Sequence, residues 1–208
     1  MGVEPVRGSA VAPRMTDTST SPANAGNYPL LAQAHVQLSG TVDDAMYASF
    51  KQQLADAPTE GTLVFSITTL GGDPEMARAM GDDVRLLREY TGRETLFLGK
   101  VAVYSAGATF MSAFPVDKRF LTRGTRLMLH ERLMTSTLQL SGPLSMLPAT
   151  LEAKLSEIRH SIMIQDEGFA AIVAGSKVSL DELKARAPSN WYIDAEEARD
   201  LGLVLDVI

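Results

Sequence analysis

Apolar runs that read as β-strands alternate with helix-patterned segments through most of this chain. That alternation restricts the fold to an α/β architecture with a mainly parallel sheet and right-handed crossovers. Ala34 to Leu38 alternates apolar and polar residues and stops at Ser39-Gly40. Leu63 to Thr69 is rich in β-branched residues and stops at Leu70-Gly71-Gly72, and Thr95 to Val103 is a third apolar run. The helices between them have clear starts. Asp43-Asp44 opens one whose Met46, Phe50 and Leu54 share a face. Asp73-Pro74-Glu75 opens the next with an N-cap, a proline in the first turn and an acid at the positive end of the dipole. Its buried stripe is Met76, Met80, Val84 and Leu87.

Ser105 to Ala113 reads as a short helix of small residues. Arg119-Phe120-Leu121 and Leu127-Met128-Leu129 follow, separated by the turn Thr122-Arg123-Gly124. From Pro143 to Val173 the pattern is one long helix or a broken pair, with Leu151, Leu155, Ile158 and Ile162 along one face. That face offers more apolar surface than a single domain of this size easily covers, which points to a subunit interface; the plainer reading is a helix packed on its own sheet. Asp194 with Glu197 three positions on has the spacing of a capping box, Gly202 ends that helix, and Leu203 to Ile208 reads as a closing strand.

At 208 residues the chain suits one domain, spanning 28–208. Residues 1–27, rich in Ser, Thr, Ala, Pro and Gly, read as a disordered tail. A net charge of −6 with no dense run of Lys or Arg argues against nucleic acid as a partner. No cysteine is present, and His35, His130 and His160 lie far apart in sequence, so a metal site is not expected. No run approaches the length of a spanning helix, so the expected setting is the cytoplasm, with no membrane contact. His35 and His160 read as structural or solvated.

The chemistry concentrates in two strings. Ser105 opens a helix directly after an apolar strand, within Val103-Tyr104-Ser105-Ala106-Gly107, and His130 ends another apolar strand. A strand-to-helix turn exposes a serine hydroxyl and directs free helix N–H groups at whatever it attacks. Gly71-Gly72 ends a strand where the backbone can approach a substrate closely. Together these supply a nucleophile, a base and oxyanion donors for acyl transfer. Taken singly, each has a plainer explanation: Ser105 as a helix N-cap, His130 as a core histidine held by a carbonyl.

In combination the strings resemble the proteolytic-subunit family of the Clp protease, ClpP. The resemblance runs from about His35 to Ile208. It is carried by Thr69-Leu70-Gly71-Gly72, Ser105-Ala106-Gly107-Ala108, Thr125-Arg126-Leu127-Met128-Leu129-His130, and Tyr192-Ile193-Asp194-Ala195-Glu196-Glu197-Ala198 with Leu201-Gly202-Leu203-Val204. It implies the repeated β-β-α spiral fold shared with crotonases, with a long protruding handle-type helix. It also implies a serine endopeptidase in which Ser105 is the nucleophile, His130 the general base and acid, and Gly72 and Ala106 the donors of the oxyanion hole. No cofactor and no metal are implied. The implied partners are a peptide or unfolded-protein substrate and further copies of the chain in a heptameric ring, single or stacked as a tetradecamer. An ATPase unfoldase or a ClpP paralogue would join them, and any use of ATP would belong to that partner.

Two departures from the family pattern stand out. The family's third catalytic residue is an aspartate; the matching position here is Asn190, in Ser189-Asn190-Trp191-Tyr192. An asparagine can accept the histidine Nδ1–H and hold the useful tautomer, but it lacks the charge that steadies the imidazolium, so attenuated activity is expected. Asp181, Asp194 and Glu131 are the alternative acids. The segment Glu131 to Pro143 also lacks the family's glycine-rich pattern, and the residues before His35 do not resemble its unfoldase-docking loop. These departures motivate a second reading, a non-catalytic or regulatory paralogue in mixed rings with an active partner. An acyl-CoA enzyme of the crotonase type is a third, disfavoured by Ser105 and His130.

Overall fold

A computed structural model of the chain describes residues 28–208; the expected tail at 1–27 lies outside the described residues. Seven strands form one sheet: β1 (Val36–Ser39), β2 (Leu63–Thr69), β3 (Thr95–Tyr104), β4 (Arg119–Leu121), β5 (Arg126–Leu129), β6 (Trp191–Asp194) and β7 (Asp206–Val207). The order along the sheet is β1-β2-β3-β4-β7, with β5 beside the far end of β3 and β6 beside β5. Every pairing is parallel except β5 with β6. The helices are α1 (Asp44–Asp56), α2 (Pro74–Thr91), α3 (Ala106–Met111), α4 (Leu147–Val173), α5 (Leu180–Arg186) and α6 (Ala195–Asp200), with short 3-10 turns between. This is the mixed α/β, largely parallel fold with a long helix that the sequence pattern requires.

The expected caps are in place. Asp43, Asp73 and Asp194 side chains accept the N–H groups of Met46, Glu75 and Glu197 at 2.9, 2.7 and 2.9 Å. Pro143 to Val173 resolves into a 3-10 turn at Leu144–Met146 followed by α4 as a single unbroken helix. The closing strand is shorter than its apolar run suggests. Leu203 N–H bonds back to Ala198 O at 2.9 Å after Gly202 turns left-handed, so Leu203 and Val204 complete the end of α6 before β7 begins.

One irregularity arranges the site. Between Ile67 and Thr69 of β2, β3 advances from Gly99 to Val103, so β3 bulges by two residues around Lys100 and Val101. Val101 takes φ 62°, a conformation that a β-branched residue rarely adopts. Below the bulge β3 pairs with β4 through Phe97–Gly99, and above it with β5 through Ala102–Tyr104. The upper half of β3 thereby delivers Ser105 beside the strand that ends in His130.

The core beneath the site is aromatic. Phe50, Phe65, Phe97, Phe110 and Phe114, from α1, β2, β3, α3 and the turn after it, pack with ring centroids 5.4–6.2 Å apart. Against the same assembly lies Arg119, only 2% exposed. Its guanidinium donates to the carbonyls of Phe114 (2.7 Å), Ile172 (3.1 Å), Leu203 (3.3 Å) and Ser112 (3.3 Å). Burial pushes its pKa down to about 10, which leaves it a cation at neutral pH, held by carbonyl dipoles. One side chain thus ties the ends of α3 and α4 to the C-terminal segment.

Candidate active site

Ser105 stands alone between β3 and α3 with φ 52° and ψ −111°. Such a conformation costs about 1–3 kcal/mol in a non-glycine residue and persists only where its surroundings impose it. Here they do. Ser105 N–H donates to Met128 O of β5 at 2.8 Å, and its carbonyl accepts the N–H groups of Ala108 and Thr109 at 2.9 and 3.2 Å. On its other side is Gly71, where a Cβ would stand 2.9 Å from Ser105 Cβ. A Cβ on Gly107 would meet Thr69 Cγ2 at 2.5 Å, so the small residues around the serine are there for close approach. The hydroxyl does not cap α3. It lies 2.6 Å from Nε2 of His130 instead, so the N-cap explanation of Ser105 does not hold.

The glycine turn stands against the same pair. Thr69 Oγ1 accepts Gly71 N–H at 3.0 Å and donates to Gly40 O at 2.6 Å, fixing where β2 ends. Gly71 and Gly72 adopt φ 112° and 144°, and a Cβ on Gly72 would collide with the Val42 carbonyl. Val42 N–H donates to Gly71 O at 3.0 Å, and Asp73 N–H to Val42 O at 2.7 Å. The N–H groups of Gly72 and of Ala106 have no acceptor among the described residues, and both residues line the cleft that holds Ser105 and His130.

That cleft encloses about 1000 Å3. One wall is the face of α4 carrying Ile158, Ile162, Phe169 and Ile172; the other is the extended segment after His130, with Leu133, Met134 and Leu138. Polar groups gather at one place. Arg132 pairs with Glu75 of α2 at 2.5 Å, and its backbone N–H donates to Gln165 Oε1 of α4 at 2.7 Å. Sequence reading missed this cluster, because its members lie far apart in the chain and belong to no motif.

Asn190 is not joined to the pair. The antiparallel register of β5 and β6 runs from Arg126↔Asp194 to Leu129↔Trp191, so one step further Asn190 stands opposite His130. The ladder stops short of that step. Asn190 has φ 55° and is exposed, its N–H turned back to Ala187 O at 3.1 Å. Among the described residues no hydrogen bond reaches His130 Nδ1 from Asn190 or from any other side chain. Of the alternative acids, Asp194 is occupied as the cap of α6, and Asp181 lies exposed in the first turn of α5. Glu131 lines the cleft beside His130. His35 is structural, its Nδ1 accepting Val64 N–H at 3.0 Å, and His160 is exposed on α4. Among the described residues no group of three or more His, Asp or Glu side chains could hold a metal, and no helix is long and apolar enough to cross a membrane.

The family model described as Clp protease matches residues 23–208. A curated relative, ATP-dependent Clp protease proteolytic subunit 3 of Rhizobium johnstonii, is 25% identical over 155 residues, covering 74% of this chain and 72% of the relative.

Proposed function

The chain belongs to the Clp protease family, and on that premise we propose that it is a serine endopeptidase acting through an acyl-enzyme on Ser105. The observation that carries this reading is the 2.6 Å contact between Ser105 Oγ and His130 Nε2, at a strained turn beside two unused backbone donors. In the proposed cycle Ser105 Oγ attacks the scissile carbonyl as His130 Nε2 takes its proton. The carbonyl oxygen becomes an oxyanion received by the N–H groups of Gly72 and Ala106, each worth about 3–4 kcal/mol in comparable sites. His130 returns the proton to the departing amine. Water, deprotonated by His130, then releases the acyl group and restores the serine.

Nδ1 must carry the proton for Nε2 to act as base. Asn190 is the proposed acceptor of that proton; its support is the β5–β6 register, which carried one step past Leu129↔Trp191 would bring Asn190 opposite His130. An amide there holds the tautomer without offsetting the charge of the imidazolium, so turnover is attenuated. Self-association into a ring, with cleavage inside its chamber, is proposed from the family and from the apolar face of α4. An ATPase unfoldase would deliver unfolded protein to that chamber. Nδ1 has no hydrogen bond among the described residues, and this favours a second reading, a regulatory paralogue that shapes a mixed ring without cutting.

The test is a fluorophosphonate probe read by intact mass, with Ser105→Ala as control. The peptidase reading expects one adduct, lost in the variant. No adduct on the native protein would favour the regulatory paralogue.

A further inference from the structure

We propose that Arg132 is a positioning residue for His130, holding the imidazole against Ser105 through a clamp to Glu75 and Gln165. This rests on the reading of Ser105 and His130 as nucleophile and base. A serine-protease histidine is ordinarily aimed by the group behind its Nδ1, which fixes both tautomer and ring orientation. Here no side chain bonds Nδ1 among the described residues, and the proposed partner Asn190 is a neutral amide on a turned-away backbone, so a restraint besides Asn190 is needed to aim the ring.

The chain around His130 offers one. The β5–β6 ladder ends at Leu129↔Trp191, and the segment from His130 onward forms no strand. The first fixed point after the ladder is Arg132, two residues on. Its backbone N–H is held by Gln165 Oε1 at 2.7 Å and its guanidinium by Glu75 Oε1 at 2.5 Å. His130 is therefore stretched between the end of a β-ladder and a two-sided clamp. Glu75 sits in the first turn of α2, directly after Gly72-Asp73-Pro74, so the same ion pair ties the segment of the base to the turn that carries a free N–H. Gln165 adds α4, making the aim of His130 depend on where that helix stands.

The energetics separate geometry from stability. Side-chain exposures are 25% for Arg132 and 49% for Glu75, and a pair this open adds little to folding. A displacement of about 1 Å at a reacting group, in contrast, costs on the order of 100-fold in rate. Loss of the clamp should therefore slow the chemistry and leave the fold intact.

The experiment measures fluorophosphonate labelling of Ser105 in the full chain, resolved into kinact and KI, alongside thermal melting. Arg132→Ala and Glu75→Gln should each lower kinact by about 10- to 100-fold with KI and melting temperature nearly unchanged. Arg132→Lys, which keeps the cation, should recover much of the rate. The double variant should be no slower than Arg132→Ala alone, because the Arg132 contact is the one both changes break, and the other pair of Glu75, to Arg78 at 3.1 Å, is an exposed one within α2. Glu89→Gln, which weakens ion pairs to Arg85 and Arg88 elsewhere on α2, serves as the control. Native labelling with Arg132→Ala as fast as that control overturns the clamp, and so does a change confined to KI, which would make Arg132 a probe-binding group. Should Arg132→Ala melt early, Glu75→Gln decides the matter, since it keeps the shape of a half-exposed side chain. A native protein unlabelled at Ser105 overturns the peptidase reading itself and the clamp with it.

Discussion

Ser105 and Asn190 are both non-glycine residues with positive φ, at 52° and 55°. For Ser105 the strain has a clear use: it turns the hydroxyl away from the helix it precedes and onto His130 Nε2. Asparagine tolerates such backbone better than most residues, but the turn leaves its side chain exposed and without a hydrogen bond to His130. The proposed role of Asn190 can be read directly. Asn190→Asp should raise the rate of Ser105 labelling by about 10-fold or more, since the reverse exchange in a serine-protease triad costs about 10⁴ in kcat. Asn190→Ala should lower it. Equal rates in all three proteins would remove Asn190 from the site. The pairing of Ser105 with His130 was legible in the sequence because each ends an apolar strand within a distinctive string. The positive φ at Ser105 was not, since it is imposed by Gly71, Met128 and Thr109, none of which signals strain by its own identity.

Among the elements, α3 is the one on which the site depends, and it is only six residues long. A helix so short owes its stability to what it packs on, here the phenylalanine cluster below it and the Arg119 guanidinium at its end. Arg119→Met should destabilise the protein by about 3 kcal/mol or more, since several buried carbonyls would each lose a hydrogen bond to a charged group. Denaturant unfolding would measure this. Arg119→Lys should recover little, because an ammonium cannot span the separated acceptors that the planar guanidinium fork reaches. A variant as stable as the native protein would show that water replaces the fork. Sequence patterning marked α2 and α6 through their caps, yet nothing local to Arg119-Phe120-Leu121 marks Arg119 as buried. Its burial comes from the convergence of α3, α4 and the C-terminal segment, whose carbonyls are about 50 or more positions away for two of its four bonds.

At the level of the whole molecule, α4 poses the question of assembly. It is 27 residues long but buries only Phe169, Ile172 and Val173, all near its end. Leu151, Leu155, Ile158 and Ile162, the face the sequence marks as apolar, remain 38–51% exposed, as does Met163 beside them. Apolar surface of this extent favours association of subunits. Leu151→Glu with Leu155→Glu, on the part of that face outside the cleft, should therefore reduce the mass measured by light scattering, without loss of helical signal by circular dichroism. An unchanged mass would place the assembly contact elsewhere.

The sequence by itself determined the order and type of most elements, though not α5 or β6, together with the helix caps, the strings carrying Ser105 and His130, and the apolar face of α4. These are local: hydrophobic period, turn chemistry and capping act within a few residues, so they can be read from a few residues. The tertiary structure alone decided the strain at Ser105, the burial of Arg119, the missing bond at His130 Nδ1 and the clamp joining Arg132 to Glu75 and Gln165. Each of these depends on the β3 bulge or on which strand ends meet. Contacts between groups 33 or 57 positions apart follow from how the whole chain closes on itself, and no local pattern encodes that closure.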